Sequence, residues 1–121
     1  MIAAAYIRTA QPDTIAQQLQ TERISSFAAA HAFQPVFTVN DSCSGNTLER
    51  PGLDELNQLA EKLLIDAVIV YKLDRLARDM SLMLHIVELL ERNGVAVVSV
   101  TEDASVLPSS MKLHRLLAAQ M

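Results

Sequence analysis

The strongest constraint on the fold is an unbroken apolar run near the middle of the chain, Ala67-Val68-Ile69-Val70-Tyr71. The run is rich in β-branched residues and shows no alternation of apolar and polar side chains, which is typical of a strand buried on both faces. Further mainly apolar runs at 2–7, 36–39 and 95–100 predict three more strands. A sheet made of such strands has to be covered by helices.

Helices are predicted in the intervals between these strands. The first spans 14–31 and has Gln17 three residues after Thr14, which is the spacing of a capping box. The second spans 51–64 and the third 80–92, with a proline at the start of one and Asn-Gly after the other. The alternation predicts an α/β fold with a mostly parallel sheet of four to five strands flanked by helices. The predicted buried stripe of the first helix consists of Ile15, Leu19, Ile24 and Phe27.

Composition limits the class of protein. The 121 residues, half of them apolar, suffice for one domain spanning 1–121. No stretch approaches ~18 uncharged apolar residues, and Cys43 is the single cysteine, which predicts a cytoplasmic protein with no membrane partner. The net charge of −4 argues against a free-standing nucleic-acid binder. The local concentration of Lys72, Arg75 and Arg78 suits one phosphate but not a long duplex.

Arginines lie at or just after the carboxyl ends of the predicted strands, or at the far ends of the loops that follow these strands. In parallel sheets, functional residues gather in these loops. The planar guanidinium matches a phosphate, so converging arginines indicate a site for a phosphoryl oxyanion that needs no metal. Local pairing of Asp74 with Arg78 and of Arg75 with Asp79 explains part of the pattern equally well. The four arginines in question are Arg8, Arg50, Arg75 and Arg78.

Four segments resemble the resolvase/invertase family of serine recombinases, in the family's order and at its intervals. A strand at Gly94-Val95 and a helix from Ser109 extend the resemblance over the whole chain. It implies a resolvase-like catalytic domain that ends in the start of a long dimerisation helix, with the C-terminal DNA-binding domain absent from this chain. The segments are Tyr6-Ile7-Arg8-Thr9-Ala10, Thr14-Ile15-Ala16-Gln17-Gln18, Asp41-Ser42-Cys43-Ser44-Gly45 with Leu48-Glu49-Arg50-Pro51-Gly52-Leu53, and Tyr71-Lys72-Leu73-Asp74-Arg75-Leu76-Ala77-Arg78.

The resemblance implies site-specific DNA recombination. A serine hydroxyl attacks a DNA phosphodiester and forms a 5′-phosphoserine link with release of a 3′ hydroxyl. The subunits exchange partners, and the 3′ hydroxyls reverse the attack. The covalent link retains the energy of the broken bond, so no cofactor or metal is implied. The implied partners are DNA and further copies of the chain, as a homodimer and as a tetramer during strand exchange, with no small-molecule substrate.

The family's functional residues transfer to matching positions of this sequence. Arg8, Arg75 and Arg78 would bind and activate the phosphate, and Asp74 would orient them or assist proton transfer to the leaving oxygen. Lys72 is a weaker candidate for the same site. Four further residues would line and order the site: Gln18, Asp41, Ser44 and Arg50.

The position of the nucleophile is occupied by Ala10, two residues after Arg8. A methyl group cannot attack phosphorus, and Thr9 faces the opposite side of an extended segment. The chain is therefore predicted to bind or assemble but not to cleave DNA. The alanine is either an engineered replacement or a natural loss, and the alternative function is a non-catalytic relative that acts as an assembly or regulatory module at DNA. A third hypothesis, a domain for a small phosphorylated ligand, predicts that the arginines do not converge.

The third predicted helix is apolar on more than one stripe. Either the helix is deeply buried in its own domain, or a second exposed stripe meets another subunit. The sequence alone favours neither explanation over the other. The apolar residues concerned are Met80, Leu82, Met83, Leu84, Ile86, Val87, Leu89 and Leu90.

Overall fold

The computed structural model describes residues 1–43 and 50–101. The predictions for Ser44 and for the C-terminal helix lie outside these ranges. No helix in the described part of the chain is long and apolar enough to cross a membrane. The elements in chain order are β1 (Ile2–Thr9), α1 (Thr14–Ala30), β2 (Gln34–Ser42), α2 (Pro51–Glu61), β3 (Ala67–Val70), α3 (Leu73–Leu76), α4 (Met80–Glu91) and β4 (Ala96–Ser99).

The four strands of the described residues form one parallel sheet in the order β2-β1-β3-β4, which confirms the predicted α/β fold. β1 and β2 extend two and three residues past their predicted ends. Arg8 and Asp41 are therefore register partners within the sheet rather than loop residues. The ladder of backbone hydrogen bonds continues after the apolar run has stopped, which is why hydropathy placed both ends too early.

Both faces of the sheet are covered, as predicted from the unbroken apolar run 67–71. Alternate side chains of β1 enter two separate cores. Ala4 and Tyr6 lie in the core shared with α2, α3 and α4. Ala3, Ala5 and Ile7 lie in the core shared with α1. The chain thus leaves β1 toward one face of the sheet and β3 toward the other.

The predicted buried stripe of α1 is half wrong. Ile24 is buried and Phe27 is half-buried, but Ile15 is 80% exposed and Leu19 is 44% exposed. The row that meets the sheet is Gln20, Ile24 and Ala28, at intervals of four residues. At about 100° per residue, Ile15 lies roughly 140° around the helix from Gln20. The large apolar residues of α1 do not share one face, so apolarity alone could not identify the buried row.

The ends of two helices also differ from expectation. Asp13 caps α1, because its carboxylate accepts from the backbone N–H of Ala16 at 3.0 Å, in place of the predicted capping box at Thr14. α4 ends at the predicted Asn-Gly pair, where Gly94 has a φ of +75°. The buried stripe of α4 is Met83, Ile86, Val87 and Leu90. Its other apolar residues are half-buried or, at Met80, exposed.

Replacing Ile24 with alanine is expected to destabilise the domain by about 2–5 kcal/mol, because the lost side-chain volume leaves a cavity between α1 and the sheet. The same replacement at Ile15 is expected to change the free energy of unfolding by less than about 0.5 kcal/mol. Urea unfolding of the two variants measures both values. Equal losses would show that α1 buries the face predicted from apolarity.

Candidate active site

The candidate site lies where the order of strands along the sheet reverses, at the carboxyl ends of β1 and β3. The segments that follow these two strands diverge to opposite faces, which leaves a crevice between them. Arg8 near the end of β1 and the one-turn helix α3 after β3 meet in this crevice. The fold therefore brings together residues that are more than sixty positions apart in sequence.

Arg8 is 1% exposed, and all three nitrogens of its guanidinium donate to backbone carbonyls. Nε donates to Arg75 O at 2.9 Å, Nη1 to Cys43 O at 2.9 Å and Nη2 to Asp74 O at 2.7 Å. Burial, followed by the charges of Arg50 and Arg75, lowers the pKa of Arg8. Arg8 thus joins the end of β1 to the segments that follow β2 and β3.

Arg50 is fully buried on the same side of the sheet. Its Nη2 donates to Leu76 O, its Nε lies 3.9 Å from Asp41 Oδ2, and its guanidinium lies 5.5 Å from the centroid of the Tyr6 ring. Among the residues that the structure describes, neither Nε nor Nη1 of Arg50 has a hydrogen-bond acceptor. Arg50 therefore contacts α3 from the interior of the domain and does not reach the surface.

Asp41 is the buried carboxylate of this group. It accepts from the Tyr6 hydroxyl and, at 2.7 Å, from the backbone N–H of Gly52. Burial, together with the hydrogen bond to Asp41, raises the pKa of Tyr6 far above its ordinary value, so the phenol keeps its proton. Tyr6 belongs to the first family-like segment, but sequence analysis assigned it no role.

Ala10 is exposed and lies in a shallow surface pocket with Arg75. Arg75 Nη1 donates to Arg8 O at 3.3 Å, and its side chain is 29% exposed. Thr9 is buried, and within residues 1–43 and 50–101 its hydroxyl has no hydrogen-bond partner. The pocket is lined by Thr9, Ala10, Gln11, Pro12, Asp13, Ala16 and Arg75.

Asp74 and Arg78 are exposed at the rim of the cluster. The positive charge of Arg78 is near enough to lower the pKa of Arg8. Because α3 ends at Leu76, Asp74 and Arg78 do not share a continuous helix. Asp74 instead forms an ion pair with Arg75, in which Asp74 Oδ1 lies 3.5 Å from Arg75 Nε. The alternative of local i,i+4 pairing therefore does not describe this segment.

Two predicted residues lie away from the cluster. Gln18 is exposed and lines a polar depression beside Asn40. Lys72 is exposed, with its ammonium 5.6 Å from the ring centroid of Tyr71. The glutamine that reaches the cluster is Gln20, whose buried amide donates to Arg8 O at 3.2 Å. Gln20 is not among the predicted site residues, because a polar residue in a helix is usually exposed.

Three of the four predicted arginines thus meet through shared backbone groups: Arg8 and Arg50 donate to α3, and Arg75 donates back to β1.

The family model "Resolvase, N terminal domain" matches residues 3–120. The transposon Tn552 resolvase of Staphylococcus aureus is 32% identical over 85 residues, which are 70% of this chain and 39% of the resolvase. The transposon Tn3 resolvase of Escherichia coli is 37% identical over 70 residues, which are 58% of this chain and 36% of that protein. The chain thus spans less than half the length of the curated relatives it matches.

Two solved structures show the same fold. The N-terminal catalytic domain of TP901-1 integrase is 27% identical, with a TM-score of 0.80 over 99% of this chain and 93% of that one. The C-terminal catalytic domain of ISC1926 TnpA, an IS607-like serine recombinase, is 29% identical, with a TM-score of 0.76 over 83% of this chain and 70% of that one. By sequence, fold and the matched length, the chain belongs to the resolvase/invertase family of serine recombinases and has the fold of their catalytic domains.

Proposed function

We propose that the pocket beside Ala10 receives a DNA phosphodiester, and that with serine at this position the domain cleaves and rejoins DNA strands. The observation that supports this most directly is the position of Ala10: exposed, in one pocket with Arg75, and next to a cluster of buried positive charge. The family's reaction needs the nucleophile at this point. With alanine there, the chain binds a phosphate but does not cleave.

The proposed reaction exchanges one phosphorus–oxygen bond for another. The serine hydroxyl loses its proton as its oxygen bonds to phosphorus, the bond to the 3′ oxygen breaks, and the leaving 3′ oxygen takes up a proton to become a hydroxyl. Arg75 and Arg78 stabilise the developing negative charge, because their guanidinium groups are already placed beside the reacting phosphate. Asp74, 3.5 Å from Arg75 Nε, orients that arginine or assists transfer of the proton to the leaving oxygen.

The whole protein is proposed to act on DNA as an oligomer in the cytoplasm. The curated relatives include transposon resolvases and a transposon DNA-invertase, so recombination within a mobile element is the proposed setting. A homodimer that pairs into a tetramer during strand exchange is proposed from the family's reaction. Because the net charge of this chain is −4, most of the affinity for DNA is proposed to lie in a separate DNA-binding domain.

One observation favours a second function, namely that alanine occupies the position of the nucleophile at residue 10. A domain that keeps the arginine cluster and lacks the nucleophile suits a non-catalytic subunit that occupies a recombination site and assembles with other subunits. The two functions differ in the effect of restoring the hydroxyl at residue 10, because only the first predicts a covalent bond to DNA.

Binding of inorganic phosphate tests the proposed pocket without any need for catalysis. Replacing Arg75 with glutamine is expected to weaken phosphate binding by roughly 10-fold or more, because a hydrogen bond to a charged group contributes about 1.5–3 kcal/mol. Replacing Asp13 with asparagine is expected to strengthen it severalfold, because the amide retains the helix cap and removes a negative charge from the pocket.

The measurement is the rise in unfolding temperature with phosphate concentration, which reports the dissociation constant. Arg23 is an exposed arginine of α1 outside the pocket, and its replacement by glutamine is the matched control for loss of a positive charge. General effects of phosphate as a salt affect every variant equally. Equal phosphate responses of the Arg75 and Arg23 variants would contradict the proposed site.

A further inference from the structure

The pocket beside Ala10 has a negative charge in its wall as well as a positive one. Its lining includes the exposed carboxylate of Asp13 together with the guanidinium of Arg75. These are the two charged side chains among the residues that line the pocket. A carboxylate in the wall of a site for an anion lowers the affinity for every anion, so its presence there calls for a physical explanation.

The carboxylate of Asp13 is held in the wall by helix α1. Its Oδ1 accepts from the backbone N–H of Ala16 at 3.0 Å, as the N-terminal cap of the helix. Arg75 is paired with Asp74, and in the described part of the chain no ion pair joins Arg75 to Asp13. The charge of Asp13 is therefore not neutralised by the arginine that shares its pocket, and it acts on any ligand that enters.

The charged side chains around the pocket leave a surplus of one positive charge. Four guanidinium groups face three carboxylates, since the guanidinium of Arg8 is hydrogen-bonded to backbone carbonyls. Such a balance suits a ligand with a single negative charge. The residues counted are Arg8, Arg50, Arg75, Arg78, Asp13, Asp41 and Asp74.

Phosphate groups in DNA differ in charge according to their position in the strand. A phosphodiester within a strand carries one negative charge, whereas a phosphomonoester, such as the phosphate at a strand end, carries about −1.5 to −2 near neutral pH. In the proposed reaction, the phosphate that is attacked and the phosphoserine link that forms are both diesters. A monoester is not a substrate of this reaction, and it can only compete for the pocket.

We propose that Asp13 is a specificity-determining residue, whose carboxylate makes the pocket select phosphodiesters over phosphomonoesters. This inference rests on the proposed function and adds the class of phosphate that the site accepts. Coulomb repulsion from a fixed carboxylate is proportional to the charge of the ligand, so it opposes a dianion twice as strongly as a monoanion. The family resemblance assigns no role to Asp13.

The test compares two small ligands, dimethyl phosphate as the diester and methyl phosphate as the monoester. Near pH 8 methyl phosphate is a dianion, because its second proton is lost at about pH 6. Asp13→Asn keeps the helix cap and removes the charge. It is expected to strengthen binding of the diester about 3-fold and of the monoester about 10-fold, because the factor for a dianion is the square of that for a monoanion. Dissociation constants are measured by titration of the ¹⁵N-labelled domain, followed through its backbone amide signals.

Two further variants separate the charge of Asp13 from other effects. Asp13→Ser also supplies a neutral cap, so the same loss of selectivity and an unchanged unfolding temperature are expected for both Asp13 variants. Glu22→Gln removes an exposed carboxylate nine positions further along α1 and outside the pocket lining. At 1.5 Å per residue this is roughly 13 Å away, beyond the screening length of about 8 Å, so no change in selectivity is expected.

The outcomes separate the inference from the proposed function. A loss of selectivity in both Asp13 variants, with selectivity retained in the Glu22 variant, supports the inference. If the Asp13 variants bind both ligands more tightly by the same factor, or no more tightly, the inference is overturned and the phosphate site remains. A Glu22 variant that loses as much selectivity overturns it as well. If neither ligand shifts any signal of the unaltered domain or of the Asp13 variants, the phosphate site itself is wrong, and the role of Asp13 is overturned with it.

Discussion

Replacement of Ala10 by serine is expected to convert a domain that forms no covalent bond with DNA into one that accumulates a 5′-phosphoserine link. Residue 10 is exposed in the pocket with Arg75, so the added hydroxyl needs no rearrangement of the core to reach a bound phosphate. Loss of a serine nucleophile reduces the rate of a serine enzyme by a factor on the order of 10⁶, and restoration should recover a comparable factor.

The adduct is detected on a denaturing gel with recombination-site DNA and assigned by mass spectrometry to residue 10. Because DNA affinity is proposed to lie mainly outside this domain, the variant is made in a chain that carries a DNA-binding domain. The unaltered chain is an informative control, since Thr9 already supplies a hydroxyl one residue away, but that hydroxyl is buried. An adduct at Thr9 would contradict the assignment of the pocket.

Absence of any adduct from the serine variant, with DNA binding retained, would favour the non-catalytic subunit. A second variant that combines Ala10→Ser with Arg75→Gln sharpens this comparison. It is expected to bind DNA through the separate domain and to form the link far more slowly, because the charge that stabilises the reacting phosphate is missing.

The layers of the fold were predictable because they depend on patterns that the sequence displays directly. A strand buried on both faces requires consecutive apolar residues, and 67–70 supplied them. The order of strands and helices then restricted the sheet to a mostly parallel one. The face of α1 was not predictable in this way, because its buried row includes Gln20 and Ala28, and its largest apolar side chain near the start, Ile15, is exposed.

The candidate site was predictable as a set of residues but not as an arrangement. The family-like segments identified Arg8, Arg50 and Arg75, and the topology explains why they meet. Burial of Arg8 and Arg50 could not be inferred, because their partners are mainly carbonyl groups, which every residue has and no sequence pattern marks. The same holds for Gln20, which donates to the Arg8 carbonyl.

A large loss of stability is expected from Gly52→Ala in α2. At a helical position, alanine is ordinarily favoured over glycine by about 1 kcal/mol. Here a Cβ on residue 52 would lie 2.5 Å from Asp41 Oδ2 and 2.7 Å from Asp41 Cγ. The carboxylate cannot retreat without losing the Tyr6 hydroxyl, the Gly52 N–H and its approach to Arg50, all of which are buried. Breaking a buried ion pair destabilises by about 3–5 kcal/mol, so the net change is a loss of several kcal/mol.

Gly94→Ala is the matched control, because it tests backbone strain without a steric conflict. Gly94 has a φ of +75°, and no atom of the described part of the chain lies within 4 Å of an added Cβ. Alanine there is therefore expected to lose only about 1–2 kcal/mol, from the left-handed conformation. Urea unfolding of both variants gives the comparison. A Gly52 variant as stable as the unaltered domain would show that Asp41 moves freely, and that the carboxylate does not hold Arg50 beneath α3. A larger loss at residue 52 than at residue 94 ties the stability of the core to the same contacts that position the candidate site.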